Sequence, residues 1–228
     1  MVDSRRVETN QDGLHSDLTK TVLKHLKHTH QLPVQDWMRD VFSEVNATID
    51  PLKPIVLDSG CGTGVSVWQY AQQHPDHQVI GLDRSQERLK KAGLEQGLWM
   101  HKENVWLVRC KIEEFWLLAQ EARWKLYRHR ILYPNPYPKS MHLKRRWYAH
   151  PAYLWMLQLG GQLEVRSNWR LYLEEFKYAL QLCHVTSGIT DYEHLDMTVS
   201  AFEAKYLDSK QAISILEADL VETSYGNK

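Results

Sequence analysis

The chain has 228 residues, enough for one domain, and 28 Lys and Arg residues balance 28 Asp and Glu residues. This neutral total gives no reason by itself to expect a nucleic-acid or membrane partner. The three cysteines are odd in number and widely spaced, the start of the chain is polar, and no apolar run approaches about 18 residues. These features argue against a disulfide framework, a signal peptide and a membrane span. We therefore expect a soluble, cytoplasmic protein with a single domain over residues 1–228.

The N-terminal region predicts an arm followed by a helix. Residues 1–16 are polar and are expected to form a mobile arm. Histidines 15, 25, 28 and 30 lie close together in the sequence. Their spacing lacks acidic or cysteine support, so we expect no metal site. Apolar residues, Trp37 among them, recur at helical spacing from Val34 to Val45, which predicts a packing helix before the first strand.

The segment Ile55–Gly64 joins an apolar run to a turn with glycines at positions 60, 62 and 64. This pattern is typical of a strand, a tight loop and a helix, because glycine lets the backbone come close to a ligand. A second apolar run ends at Asp83, 23 residues beyond Gly60. There a carboxylate can accept hydrogen bonds from a ribose diol. Asp58 would repel phosphate but accept from an ammonium group, which favours S-adenosylmethionine over a dinucleotide. A glycine turn in another kind of α/β domain remains the alternative.

Strand-like runs alternate with helical stretches through the rest of the chain. The strands are expected at 55–58, 78–82, 104–108, 130–133 and 161–166, with a further one at 213–220. Helices are expected near 66–73, 85–95, 111–122, 143–158 and 169–183. This alternation predicts an α/β fold of the Rossmann-like methyltransferase class, with a mainly parallel sheet and helices on both faces. Because ligands bind at the carboxyl ends of such strands, the glycine loop, Asp83, Cys110, Asn135 and Asn168 are expected to share one cleft.

The stretch from Arg123 to Trp147 contains eight Lys and Arg residues and no Asp or Glu. A local positive field of this kind attracts phosphate, although an ordinary solvated face is the alternative. Prolines 134, 136 and 138 follow the fourth predicted strand and fix the backbone of a stiff loop there. Such a loop is able to hold polar groups over a cofactor with little loss of entropy.

Together, the glycine motif and this loop resemble the bacterial tRNA (guanine-N7)-methyltransferase family, whose loop signature is P-D-P-W-x-K-x-R-H-x-K-R-R. The residues retained in register are Pro134, Pro136, Lys139, His142, Lys144, Arg145 and Arg146. Two later segments, Ser167–Tyr172 and Ser200–Glu203, also correspond to family motifs. The chain departs from the signature at Asn135, Tyr137, Met141 and Asn168, so that two family aspartates are replaced by asparagine.

The resemblance implies an enzyme that uses S-adenosylmethionine to methylate N7 of a guanine in tRNA, working as a monomer or homodimer. It implies catalytic roles for Asn135 and Glu203. The residues implied to bind the substrate are Tyr137, Lys139, His142, Lys144, Arg145, Arg146, Asn168 and Ser200. For the cofactor, the residue pattern predicts contacts from Asp58, Gly60, Cys61, Gly62, Gly64, Asp83, Cys110 and Lys111. Two alternatives stay open, namely a non-catalytic RNA-binding relative and a methyltransferase that acts on a small molecule.

Overall fold

The computed structural model describes residues 6–28, 30–192 and 198–220. The helices of this part are α1 (Leu18–Lys27), α2 (Asp36–Ala47), α3 (Val65–Gln73), α4 (Gln86–Ala92), α5 (Ile112–Glu121), α6 (Tyr153–Gln158), α7 (Arg170–Leu182) and α8 (Ala201–Asp208). The strands are β1 (Ile55–Ser59), β2 (Gln78–Asp83), β3 (Trp99–Lys102), β4 (Val105–Arg109), β5 (Arg128–Leu132), β6 (Gln162–Ser167), β7 (Ser187–Asp191) and β8 (Ser214–Asp219).

These strands form one sheet in the order β3-β4-β2-β1-β5-β6-β8-β7. The central strands β4, β2, β1, β5 and β6 pair in parallel, while β3, β8 and β7 pair antiparallel at the two sides. The central strands β1 and β2 are buried along their whole length, as expected for strands covered on both faces. The α/β class and the mainly parallel sheet predicted from the sequence are confirmed.

Two hydrophobic clusters pack on opposite faces of the sheet. The larger cluster joins α1, α2 and α5–α7 to the sheet and includes Trp116, Tyr148 and Phe176. The smaller cluster joins α3 and α4 to β1, β2 and β4 through residues such as Val67 and Leu89. The chain therefore leaves each central strand at the same edge of the sheet and returns through a helix, which places the strand-end loops side by side.

Several elements differ from the sequence expectation. The pattern did not predict α1, α8 or the antiparallel strands β3 and β7. The helix expected over residues 143–158 is replaced by 3₁₀ turns at Ser140–Arg145 and Trp147–Ala149 and by the short helix α6. Pro151 explains this break, because proline removes a backbone donor and disfavours helical geometry in the residue before it.

Within residues 6–28, 30–192 and 198–220, no helix has the length and apolar character needed to cross a bilayer. The same residues contain no group of three His, Cys, Asp or Glu side chains placed to hold a metal ion.

Candidate active site

The glycine loop connects β1 to α3 through residues in left-handed geometry. Gly60, Gly62 and Gly64 have φ angles of 96°, 59° and 76°. This backbone region is readily accessible only to glycine. At Gly64 the packing adds a second requirement, because an added Cβ would lie 2.6 Å from Cβ of Ala92. The two constraints explain why the chain needs glycine where α3 begins.

The amides of this loop are largely engaged within the fold. The amides of Gly60 and Cys61 donate to the carbonyl oxygen of Leu82 at 2.8 and 2.9 Å, and that of Gly64 donates to the Cys61 carbonyl at 3.0 Å. The Gly62 amide donates to Oδ2 of Asp83 at 3.0 Å. The cofactor contacts predicted for this loop stay a prediction. In the structure each of these four amides has an acceptor within the fold, and these hydrogen bonds shape the loop.

Asp58 lies beneath the glycine loop with its side chain fully buried. Its Oδ2 accepts from the Ser66 hydroxyl at 2.5 Å and lies 3.9 Å from Nη1 of Arg130. Burial raises the pKa of this carboxyl above its ordinary value, although Arg130 and Ser66 oppose the rise. Its Oδ1 has no hydrogen-bond partner among the described residues. A buried acceptor without a donor is costly, so this atom suits a ligand that brings a donor such as an ammonium group.

Asp83 ends β2 and organises the loops around it. Its Oδ2 accepts from Gly62, and its Oδ1 accepts from the Ser85 amide at 2.7 Å and pairs with Arg88 at 3.0 Å. A carboxylate has about four acceptor positions, so these bonds leave room for a further donor. Asp83 therefore stabilises the loops around it, in addition to the ribose contact predicted for it.

A small pocket of about 250 Å³ lies beside Asp83. It is lined by Trp37, Arg84, Leu98, Arg109, Cys110 and Lys111. The Cys110 amide donates to the Asp83 carbonyl at 3.1 Å, which brings the ends of β2 and β4 together. Nζ of Lys111 donates to Oε1 of Glu114 at 2.9 Å, and this hydrogen bond raises the pKa of the lysine. The position next to Asp83 suits the adenine end of an adenosine-containing ligand. The cofactor contacts of Cys110 and Lys111 stay a prediction.

The segment 133–146, called the proline loop, follows β5 and has two residues in left-handed geometry. Tyr133 and Tyr137 have φ angles of 52° and 45°, which are uncommon for aromatic residues. Asn135 lies exposed between them, and its Oδ1 accepts from the Tyr137 amide at 3.2 Å. Strained residues of this kind persist only where neighbouring structure holds them, and they cluster at functional sites.

Three cations of the proline loop are exposed to solvent, namely Lys139, Lys144 and Arg145. The Arg145 guanidinium lies 5.7 Å from the ring centre of Tyr137, and the His142 ring lies 6.1 Å from it. Partial burial and then the nearby Arg145 and Lys139 lower the pKa of His142 below its ordinary value. The loop thus places an aromatic ring among positive charges.

Arg146 does not share this exposure, and the structure corrects its predicted contact with substrate. Its side chain is fully buried, its Nη1 donates to Oε2 of Glu175 at 2.5 Å, and its guanidinium lies 5.1 Å from the Trp169 ring. Nε of Arg146 also donates to the Tyr137 carbonyl at 3.2 Å. A buried cation in this position cannot reach a phosphate. Its hydrogen bond to the Tyr137 carbonyl instead holds the proline loop in place.

The segment predicted to be a mobile arm is tied to the same loop. The Thr9 hydroxyl donates to the Pro138 carbonyl at 2.9 Å, and the Ser140 amide donates to Asn10 at 3.3 Å. Gln11 bridges the buried ion pair: its Nε2 donates to Glu175 at 2.5 Å, and its Oε1 accepts from Arg146 at 3.0 Å. Residues 9–11 are therefore hydrogen-bonded to the proline loop along its length.

Glu203, Ser200 and Asn168 are all engaged in hydrogen bonds of the fold. Glu203 is fully buried and accepts from the Tyr133 hydroxyl at 2.6 Å and from Nη1 of Arg166 at 3.0 Å. Ser200 caps α8, where its hydroxyl accepts from the Glu203 amide at 3.1 Å. The Asn168 amide donates to Gln211 at 2.9 Å. Glu203 thus reaches the proline loop through Tyr133, the first residue of that loop.

Two residues that shape this site, Glu175 and Trp37, are not predicted from the sequence. Glu175 lies on α7 among apolar residues, and this local spacing does not predict that it pairs with Arg146. Trp37 was assigned to helix packing, but its side chain is 43% exposed and lines the pocket next to Asp83. The sequence does carry one signal for the exposure of Trp37. It lies in the first turn of a helix, one position before the buried Met38.

The sequence is similar to those of known methyltransferases. The sequence model of a family described as "Putative methyltransferase" matches residues 52–214. The tRNA (guanine-N(7)-)-methyltransferase of Macrococcus caseolyticus is 24% identical over 181 residues, which cover 74% of this chain and 83% of that protein. The enzyme of the same name from Syntrophotalea carbinolica is 34% identical over 125 residues, half of each chain.

Solved structures are similar in fold at lower identity. A 16S rRNA (adenine(1408)-N(1))-methyltransferase from Catenulisporales acidiphilia, solved with its cosubstrate SAM, is 17% identical with a TM-score of 0.56. The match covers 87% of this chain and 97% of that one. An antibiotic-related methyltransferase is 16% identical with a TM-score of 0.54, covering 83% and 96% of the two chains.

Proposed function

The chain belongs to the methyltransferase family whose sequence model spans residues 52–214, and we propose that it methylates N7 of a guanine in tRNA with S-adenosylmethionine as the donor. The cytoplasm, where tRNA is used, is the proposed location. One observation supports the proposal most strongly. The stiff proline loop, with its exposed cations, leaves β5 next to β1, whose end carries the glycine loop.

S-adenosylmethionine supplies an electrophilic methyl group on a sulfonium. In our proposal the unpartnered Oδ1 of Asp58 accepts from its ammonium group, and Asp83 accepts from its ribose hydroxyls. Backbone groups at Cys110 and Lys111 flank the adenine in the adjoining pocket. These residues fit the donor because a buried acceptor, a carboxylate at the end of β2 and a pocket of about 250 Å³ lie around one loop.

The acceptor nitrogen needs orientation more than activation. N7 of guanine has an exposed lone pair and no proton, so no general base has to remove one. Correct alignment of two reactants is worth about 7–11 kcal/mol of a barrier. Asn135 lies exposed in the strained part of the loop and is the residue we assign to orienting the guanine edge. Its replacement of an aspartate removes a charge that would stabilise the cationic product, which typically costs about 10²–10³ in rate.

The remaining residues divide into RNA contacts and supports. We assign phosphate contacts to the exposed Lys139, Lys144 and Arg145, and stacking on an extruded base to Tyr137. His142, whose pKa is lowered by partial burial and by the neighbouring cations, is assigned to hydrogen bonding rather than charge pairing. Glu203 acts as a positioning residue, because its carboxylate already binds Tyr133 and Arg166. Asn168 and Ser200 likewise support neighbouring segments.

The substrate class can be tested with purified protein and donor labelled on its methyl group. We expect label in unmodified tRNA and none in a mixture of small metabolites. Donor binding without transfer to RNA would favour the non-catalytic relative, and transfer to a small molecule alone would favour the other alternative. Either result would reject the proposed function.

A further inference from the structure

The pocket beside Asp83 carries positive charges that the proposed function leaves unexplained. Three of its lining residues are the cations Arg84, Arg109 and Lys111. Arg84 directly follows the proposed ribose-binding residue, so these charges surround the adenosine end of the site. The proline loop lies on the other side of the glycine loop, since β5 and β2 pair with opposite sides of β1.

Two of these cations form no ion pair within the part of the chain that the structure describes. Lys111 pairs with Glu114, but neither Arg84 nor Arg109 has a carboxylate partner among residues 6–28, 30–192 and 198–220. Arg84 is exposed, and the guanidinium of Arg109 donates to the neutral Gln86 amide oxygen at 3.0 Å. The pocket therefore has two cations at its rim that no ion pair of the described residues engages.

This charge is unfavourable for the donor alone. S-adenosylmethionine has two positive groups and one negative group, so further cations at its adenosine end repel it. A polyanion bound close to the rim makes the local electrostatic potential negative, so that the donor is attracted instead of repelled. The exposed face of Trp37 adds a stacking surface next to the cations, and this pairing of aromatic and basic side chains is typical of sites for unpaired nucleic acid.

We propose that Trp37, Arg84 and Arg109 form a second RNA contact, at which the backbone of the substrate passes over the adenosine end of the site. The inference rests on the proposed function, since it assigns a further contact for the same substrate. The RNA phosphates offset the repulsion between the rim cations and the donor. RNA and donor consequently strengthen each other's binding, by the same factor in both directions.

The test compares the double variant Arg84→Gln/Arg109→Gln with the control Lys53→Gln/Lys102→Gln. The control lysines are exposed and lie near the amino ends of β1 and β4, at the opposite edge of the sheet. The affinity for unmodified tRNA is measured against salt concentration by filter binding, without donor. We expect the log–log slope to fall by about two in the double variant and to stay unchanged in the control.

Donor affinity is measured by calorimetry with and without tRNA. This measurement shows whether the rim arginines bind the RNA or the donor. We expect tRNA to tighten donor binding to the wild-type protein and to do so less in the double variant, whose donor affinity without RNA does not fall. An unchanged salt slope together with weaker donor binding would assign the arginines to the cofactor and overturn the inference. If the wild-type protein bound no tRNA, the proposed function would fail as well.

Trp37→Ala tests the stacking part of the contact. We expect tRNA affinity to fall about tenfold at constant salt, with the salt slope unchanged, because stacking releases no counterions. Unchanged tRNA affinity would remove Trp37 from the contact.

Discussion

Arg146 and Glu175 form an ion pair at 2.5 Å in which both side chains are fully buried. The pair joins the proline loop to α7, and Gln11 connects the N-terminal segment to both of its members. The Tyr148 hydroxyl and the His15 amide also donate to Glu175. The shape of the loop that we assign to RNA binding thus depends on a carboxylate far from it in sequence.

Removing the negative charge of this pair is expected to destabilise the fold. Glu175→Gln leaves the buried guanidinium of Arg146 without a counter-charge, which typically costs about 3–5 kcal/mol. The free energy of unfolding, from denaturant titration, measures the loss. Glu174→Gln is the matched control, since Glu174 is exposed and pairs with Arg170 at 3.6 Å, and a change within about 0.5 kcal/mol is expected there. Similar losses in both variants would contradict the role of the buried pair.

The glycine loop offers a second matched comparison. Gly62→Ala meets no atom within 4 Å but has a φ of +59°, so it should cost about 1–2 kcal/mol of backbone strain. Gly64→Ala has the same kind of strain and also overlaps Ala92, which adds about 1–3 kcal/mol. Thermal unfolding of both variants tests this order. Equal stability of the two would show that the contact with Ala92 relaxes freely.

Donor binding is expected to depend on pH through Asp58. Burial holds the pKa of this carboxyl above its ordinary value in the free protein, while an ammonium group at its Oδ1 would favour the charged form. Binding therefore releases a proton, and the affinity for S-adenosylmethionine rises as the pH rises through the pKa of the free carboxyl.

Calorimetry from mildly acidic to neutral pH measures that dependence. Asp58→Asn should weaken binding at neutral pH and flatten the profile. A variant with weaker binding but an unchanged profile would assign the proton to another group.

The exposed loop cations should contribute to RNA affinity through charge alone. Lys139→Gln and Lys144→Gln are each expected to lower the salt slope of tRNA binding by about one, and to weaken binding to tRNAs of different sequence alike. Filter binding at several salt concentrations provides the measurement, with Lys53→Gln as the exposed control. If Lys53→Gln lowers the slope equally, tRNA binds to positive charges over the whole surface, and the proline loop is not a specific RNA contact.

The sequence predicted the parts of this fold that local pattern determines. The glycines of the first loop, the carboxylate that ends β2 and the prolines after β5 each have a local physical reason, so their spacing was sufficient. The roles of Arg146 and Glu203 depended on partners distant in sequence. Arg146 belongs to a basic run, yet the buried Glu175 on α7 turns it inward. Glu203 belongs to a motif that suggests chemistry, yet Arg166 and Tyr133 occupy its carboxylate.

In the proposed function the protein places a methyl group on N7 of guanine in tRNA. The most direct measurement incubates purified protein with unmodified tRNA and labelled donor, digests the RNA to nucleosides and identifies the labelled one. Asp58→Asn serves as the control for donor-dependent transfer. We predict that the label is found in 7-methylguanosine and is strongly reduced in the variant. Label in any other nucleoside, or donor binding with no label in the RNA, would contradict the claim.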